Sequence, residues 1–211
     1  MNAPNHHPAD ETLGRFAAGA IEAGPRLVVA THLAGCPQCR ARIRSFESAG
    51  GVLLDSMEPA TLRADAFART LAQVEAPAPA TIVPAARDAA MPAPLRYYDL
   101  PKWRAVAPGV RWRRVVLPEA PDANVIMLKV GAGQRMPNHG HTGVEYTQVI
   151  AGGYTDAFGH YVAGDCIEMD EDVEHIPLAD RDGDCVVLAA LEGPLRLQGW
   201  IARLFQQFIG I

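Results

Sequence analysis

Residues 133–153 read GQRMPNHGHTGVEYTQVIAGG, and the spacing of their histidines and glutamate decides the fold. One residue separates His139 from His141, and three separate His141 from Glu145. Positions two and four apart on an extended chain share a face, so the three side chains can point to the same side. Imidazole and carboxylate groups both bind divalent transition metals. The stretch therefore predicts a metal site built on β-structure.

This stretch resembles the first motif of the cupin superfamily at every position from Gly133 to Gly152. In the second motif, Gly164 and His175 keep the spacing, but the usual proline, second glycine and asparagine are replaced by Asp170, Asp172 and Ala179. The resemblance implies a barrel whose lumen holds a metal, with His175 as a fourth ligand from a neighbouring strand. Gly152-Gly153 is expected to form a hairpin turn. A polar lumen without metal is the alternative, and the ligand types do not distinguish zinc from iron, manganese, nickel or cobalt.

Short β-rich runs surround this stretch and are separated by glycine, proline, asparagine and aspartate. They predict strands over residues 110–117, 124–130, 146–152 and 185–191. Several short strands at regular spacing indicate a sandwich or barrel. Residues 95–211 are therefore expected to form an antiparallel β-barrel. The final RLQGWIARLFQQFIGI (196–211) predicts a last strand and helix packed on that barrel, with a partner-binding or membrane-surface helix as the alternative.

Residues 1–75 show helical periodicity instead. Apolar residues at i, i+3, i+4, i+7 and i+8 predict a first helix over residues 13–21, which Gly24-Pro25 ends while opening a second. Further helices are predicted from Pro37 to about residue 54 and over residues 62–74. A head of this size buries little apolar surface, and such domains often use a metal for stability. Residues 76–94 are rich in proline and alanine, which predicts a linker.

The segment THLAGCPQC (31–39) supplies three metal ligands at a corner between two helices. His32 and Cys36 lie one helical turn apart, and Cys36 and Cys39 form a Cys-x-x-Cys pair. A structural zinc takes four ligands in a tetrahedron. The fourth candidate is His6 or His7, both just before the first helix. The alternative is a redox-active cysteine pair with an unrelated histidine nearby.

The head motif resembles the zinc-binding domain of bacterial anti-sigma factors, and residues 6–42 resemble the ChrR subgroup in particular. That resemblance implies that zinc is bound by His7, His32, Cys36 and Cys39. A helical head, a proline-rich linker and a cupin, in this order, are similar to the full length of ChrR-type anti-sigma factors. The resemblance thus implies an α + β protein with two domains: a small zinc-bound helical anti-sigma domain followed by a cupin-type antiparallel β-barrel.

The same resemblance implies a regulator and not an enzyme. The head would sequester an extracytoplasmic-function (ECF) sigma factor, one to one. The cupin would hold zinc or another divalent transition metal and receive singlet oxygen or an organic hydroperoxide, so that sigma is released; the sensing residues would be His139, His141, Glu145 and His175. The fourth helix has an apolar stripe that either packs within the head or lies in a groove of sigma. The alternative function is a metal-dependent dioxygenase or isomerase.

Composition and charge restrict the possible partners, the cellular compartment and the chemistry of the cysteines. A net charge of −5 among 211 residues gives no basic surface for nucleic acid. No secretory signal is recognisable at the N-terminus, and no apolar run is long enough to span a bilayer, so a reducing cytoplasm is expected. Four cysteines there are metal ligands or redox thiols more often than disulfides. Outside the head, Cys166 and Cys185 are expected to be small buried side chains, with a redox role as the alternative.

Overall fold

The computed structural model describes residues 3–76 and 91–197. Within them, the first part of the chain forms four α-helices: α1 (Asp10–Ala17), α2 (Ala23–Gly35), α3 (Pro37–Asp55) and α4 (Ala66–Glu75). A 3-10 helix (Ala93–Tyr97) precedes eleven strands: β1 (Arg104–Ala107), β2 (Val110–Arg114), β3 (Asn124–Val130), β4 (His139–His141), β5 (Glu145–Ala151), β6 (Gly153–Thr155), β7 (His160–Val162), β8 (Cys166–Met169), β9 (Leu178–Ala179), β10 (Cys185–Leu191) and β11 (Leu195–Leu197). The predicted α + β class is confirmed.

All the strand pairs are antiparallel. The largest sheet has the order β1-β2-β3-β10-β5-β8, a second has the order β7-β6-β9, and β11 pairs with β4. Thus β5 lies inside the large sheet between β10 and β8, whereas β8 lies at its edge. This arrangement places β5 where its two faces can contact different parts of the molecule.

The predicted strands agree with the observed ones most closely at β3 and β10, whose bounds are those expected from the sequence. Strand β2 ends at Arg114, before the predicted end at residue 117. The hairpin predicted at Gly152-Gly153 is wrong, because β5 and β6 belong to different sheets. Gly152 has φ +65°, and a Cβ there would collide with the Asp184 carbonyl, so this glycine carries the chain around a corner between sheets.

The helices differ from prediction mainly at their ends. Helix α1 stops at Ala17, not at residue 21, because Gly19 adopts φ +68° and turns the chain. Pro25 lies inside the first turn of α2, where its missing N–H is not needed for a helical hydrogen bond. Helix α4 begins at Ala66, so Leu62 precedes it.

Two apolar cores explain how the helical head is held. Leu13, Val29 and Ile43 form a core within the head. On another side of α2, Leu27 and Val28 are buried in one core with cupin residues that include Val125, Met127, Tyr146 and Leu188. Full burial of a leucine or valine side chain contributes about 1.5–3 kcal/mol. Helix α2 is therefore packed on the cupin as well as on the head.

Two predicted segments lie largely outside the described residues: the linker, at residues 77–90, and the C-terminal helix, which falls within 198–211. The strand expected just before that helix is present as β11. In the part of the chain that the structure describes, none of the helices has the length and apolar character required to cross a bilayer.

Candidate metal centres

The four side chains predicted to bind metal in the cupin come together in the structure. His139 and His141 lie on β4 and Glu145 begins β5, while His175 lies in the loop between β8 and β9. Two backbone N–H···O bonds of 3.0 and 3.2 Å join His175 to His139. One ligand atom from each residue lies within 4.8 Å of the others. His175 was predicted to lie on a neighbouring strand. It is instead positioned by an isolated β-bridge to His139.

The polar atoms of this cupin cluster fit a cation. Among the described residues, Nδ1 of His141 is buried without a hydrogen-bond partner, whereas its Nε2 contacts Oε2 of Glu145 in a buried pair. The Nε2 atoms of His139 and His175 face each other at 3.0 Å. Nδ1 of His139 lies 2.9 Å from the Pro137 carbonyl, which can only accept, so the lone pair of this ring is on Nε2. Three imidazoles and a carboxylate that converge in a buried site are the ligands of a divalent transition metal, which would bind all four together.

Hydrogen bonds behind the cupin cluster fix its ligands. His175 Nδ1 lies 2.9 Å from Asp156 Oδ2, and the side chains are 4% and 0% exposed. Thr147 Oγ1 donates to Glu145 Oε1 at 2.6 Å. The sequence analysis missed both supporting residues. Thr147 could have been inferred from the sequence, because it lies two residues from Glu145 on the same strand face. No sequence spacing relates Asp156 to His175.

The charge states in the cupin cluster also suit a metal. Burial alone would raise the pKa of the Glu145 carboxyl, but the contact with His141, the charge of His139 and the bond from Thr147 together lower it to about 2. Burial lowers the pKa of His139. The lowered pKa of Glu145 favours the ionised carboxylate at neutral pH, which is the form that metal ligation requires.

The head cluster forms as well, with a ligand from each of four places in the chain. His7 precedes α1, His32 lies in α2, Cys36 links α2 to α3, and Cys39 lies in α3. His7 Nδ1 lies 3.3 Å from His32 Nε2 and 3.5 and 3.4 Å from the sulfurs of Cys36 and Cys39. The His32 nitrogen and the two sulfurs thus lie around His7 Nδ1, at distances that leave room for one ion bound by all four atoms.

His6 and His7, which the sequence left open, have different surroundings. The His7 ring faces the head cluster, whereas His6 Nδ1 lies 3.0 Å from Asp165 Oδ2 in the cupin. Burial alone would raise the pKa of Asp165, but bonds from Val162, His6 and Asn5 lower it. The structure thus places the His7 ring in the head cluster and the His6 ring beside Asp165.

The corner between α2 and α3 explains the position of the two head cysteines. Cys36 has an extended backbone, Pro37 follows as the first residue of α3, and the Cys36 sulfur accepts from the backbone N–H of Cys39 at 3.4 Å. Burial, together with the neighbouring Cys36, raises the pKa of the Cys39 thiol to about 12. A cation that favours thiolate would reverse this effect, and two thiolates with two imidazoles form a set typical of structural zinc.

The other two cysteines belong to neither cluster. Cys166 and Cys185 are buried in separate apolar cores. Burial raises the pKa of the Cys185 thiol to about 12 and also raises that of Cys166. Their surroundings agree with the predicted role as small buried side chains, because a reactive cysteine needs thiolate character and access.

Residues 52–74 of the head expose several large apolar side chains. Phe67 and Val74 of α4 are 80% and 77% exposed, and none of the α4 residues is buried. We name this surface the exposed apolar face; it comprises Val52, Leu53, Leu54, Met57, Leu62, Phe67, Leu71 and Val74. The alternative that α4 packs its stripe within the head is therefore not observed in the described residues.

Comparison with known proteins gives a consistent result. Residues 97–195 match the family model of the ChrR cupin-like domain. The chain is 37% identical over 215 residues to the anti-sigma-E factor ChrR of Cereibacter sphaeroides, and the alignment covers 98% of each protein. A chain in the crystal structure of Rhodobacter sphaeroides SigE in complex with the anti-sigma ChrR is 35% identical with a TM-score of 0.77, over 90% of this chain and 100% of that one.

Proposed function

This chain belongs to the ChrR family of anti-sigma factors, and we propose that it sequesters an ECF sigma factor in a one-to-one complex. The family makes it a regulator of transcription. The metal-dependent dioxygenase or isomerase considered from the cupin motif is not favoured, because the relative that matches along 98% of the chain is an anti-sigma factor. We place its action in the cytoplasm, where sigma factors engage RNA polymerase.

The exposed apolar face carries the proposal. Eight large apolar side chains exposed within one stretch of the head exceed the scattered apolar residues of an ordinary surface, and concentrated apolar exposure is typical of interaction sites. Helix α4 presents Phe67, Leu71 and Val74 at helical spacing, which suits a helix lying in an apolar groove of another protein. The related ChrR was crystallised with SigE. A sigma factor of the same kind is therefore the partner that best fits this surface.

We further propose zinc as the ion of the head cluster, bound by His7, His32, Cys36 and Cys39. The ion would supply folding free energy, which a head with few buried side chains needs. Because α3 starts at the same corner as the cluster, the metal would also fix the direction in which α3 leads to the exposed apolar face.

In the cupin, we propose a divalent transition metal held by His139, His141, Glu145 and His175. The donor set admits zinc and several redox-active metals. This cupin centre receives the oxidative signal, singlet oxygen or an organic hydroperoxide, and sigma is then released. Reversing a 1:99 ratio of free to bound states requires about 5.5 kcal/mol of differential stabilisation. Oxidation at the metal centre, which joins β4, β5 and the β8–β9 loop, would supply that energy by displacing these three elements, and a centre without its full ligand set would not respond.

Co-purification tests the proposal. The full chain and the SigE-like sigma factor of its own source organism are expressed together, and the complex is analysed by size exclusion and titration calorimetry. We expect a one-to-one complex that prevents the sigma factor from supporting transcription by core polymerase in vitro. Sigma-dependent transcription that is unchanged by an excess of the metal-loaded chain would contradict the proposed function.

A further inference from the structure

We propose that the cupin domain completes the head metal cluster: Gln148 and Asp165 of the cupin are positioning residues for the ligands His32 and His7. The inference rests on the proposed metal site of the head. Metal ligands are generally held by hydrogen bonds from a second layer of residues, whose loss typically weakens metal binding. Here that second layer comes from the other domain.

His32 depends on the cupin for its ring orientation. Its Nδ1 atom lies 3.1 Å from Oε1 of Gln148 and 3.0 Å from the carbonyl of Gly164. The amide end of Gln148 is fixed because its Nε2 donates to the Val149 carbonyl at 3.0 Å. Both neighbours of Nδ1 are acceptors, so the ring proton resides there and the lone pair of Nε2 points to the head cluster. His32 is 1% exposed, and water therefore cannot replace these contacts.

His7 depends on the cupin through the two residues before it. The fully buried carboxylate of Asp165 accepts from the backbone N–H groups of Asn5 and His6 at 2.7 and 3.1 Å, and its other oxygen lies 3.0 Å from the His6 ring. In return, the N–H of Cys166 donates to the His6 carbonyl at 3.1 Å. The segment is thus fixed on both sides immediately before His7.

The attachment continues along the edge strand β8. Glu168 accepts from the backbone N–H of Ala9 at 3.0 Å and from the Thr12 hydroxyl at 3.1 Å. Residues from Asn5 to Thr12 therefore follow β8, whose edge would otherwise be unpaired on that side. The ligand His7 lies between these two groups of bonds.

The two cysteine ligands are held differently. Cys36 and Cys39 are positioned by the corner of α2 and α3, within the head itself. The head thus supplies the sulfur half of the cluster on its own helices, and the cupin holds the imidazole half. It follows that metal binding by the head and docking of the head on the cupin strengthen each other, by reciprocal coupling.

Cobalt substitution of the full chain tests this inference. Only the head cluster contains thiolates, so a sulfur-to-cobalt charge-transfer band reports this site and not the cupin site. Competition between cobalt and zinc then gives the head affinity for each variant. Gln148→Leu keeps a similar volume and removes the side-chain acceptor of His32 Nδ1, so that only the Gly164 carbonyl remains; we expect about 10-fold weaker metal binding, the lower end of the usual loss. Asp165→Asn should give a loss in the same range.

Two matched variants separate positioning from a general structural role. Gln148→Glu keeps an acceptor beside His32 Nδ1 but loses the donor to the Val149 carbonyl, and it should bind metal more tightly than Gln148→Leu, a carboxylate being a common partner of metal-bound histidine. Asp180→Asn removes another aspartate that contacts a histidine, His160, at 2.8 Å, and should match the parent. If Gln148→Leu does not fold, Asp165→Asn carries the same prediction.

The outcomes distinguish this inference from the function on which it rests. A parent chain that shows no charge-transfer band would contradict the proposed head metal itself. A parent chain that binds metal while Gln148→Leu and Asp165→Asn bind equally tightly would overturn only the positioning role.

Discussion

Glu145 and Gln148 lie three residues apart on β5 and serve different metal clusters. Because successive side chains of a strand alternate, positions an odd number apart face opposite sides of the sheet. Glu145 joins the cupin cluster on one side, and Gln148 contacts His32 of the head cluster on the other. A displacement of β5 at Glu145 would therefore act on the head ligand through one short segment of backbone.

Phe67→Asp is expected to abolish sigma binding. A charge in the exposed apolar face would be desolvated on binding, and central aromatic contacts typically contribute about 2–4 kcal/mol. Titration calorimetry should show at least about a 30-fold loss of affinity with unchanged metal content. Phe158→Asp is the control, because Phe158 is also exposed, at 58%, but lies in the cupin. Equal sigma affinities for the two variants would exclude the exposed apolar face as the contact.

Asp156→Asn is expected to weaken metal binding in the cupin. Its carboxylate contacts His175 Nδ1 at 2.9 Å in a buried pair, and loss of such a partner costs about 10- to 100-fold in metal affinity. Competition with a chromogenic chelator measures the effect. Asp180→Asn, which removes an exposed aspartate–histidine contact, should behave like the parent. Similar losses in both variants would indicate a nonspecific effect of charge removal.

The four thiols are expected to react in two classes. With both metal sites filled, all four should be slow toward a disulfide reagent, because Cys36 and Cys39 are ligands and Cys166 and Cys185 are buried. Chelator should expose two reactive thiols, and denaturant the other two. If chelator exposes no reactive thiols in the double variant Cys36→Ser/Cys39→Ser, the two thiols exposed in the parent chain are Cys36 and Cys39. Rapid reaction of Cys166 or Cys185 in the folded, metal-loaded chain would instead revive the redox role.

Leu27→Ala is expected to destabilise the docked head by about 2–5 kcal/mol, the usual cost of truncating a buried leucine. Leu27 is 4% exposed and is packed among cupin residues. Chemical denaturation of the metal-loaded chain without sigma provides the measurement. Leu54→Ala, at a leucine exposed on α3, should change stability by no more than about 0.5 kcal/mol. Equal effects would mean that α2 does not dock on the cupin in solution.

Local patterns in the sequence were sufficient for much of this structure. The His139, His141 and Glu145 spacing predicted a shared face, and β3 and β10 were bounded by turn residues on both sides. His32, Cys36 and Cys39 followed from helical spacing in the same way. Each of these features depends on residues within a few positions of one another, so periodicity describes them.

Features that depend on distant parts of the chain were not predictable. The choice of His7 over His6 depends on Asp165, which lies 159 positions from His6. Gln148 looks like any residue of a strand until α2 is packed beside it. The corner at Gly152 resembles a hairpin locally, and only the pairing of β5 with β10 and β8 excludes that. Tertiary packing, and not local propensity, decides these positions.

Native mass spectrometry of the co-purified complex, before and after exposure to singlet oxygen or an organic hydroperoxide, tests the central claim most directly. We expect a one-to-one complex with a metal ion in each cluster, which dissociates after oxidant treatment. The same complex made with His139→Ala is predicted to form but to survive the oxidant. A parent complex that survives both oxidants unchanged would contradict oxidant sensing by the cupin centre, and a chain that binds no sigma factor would contradict sigma sequestration.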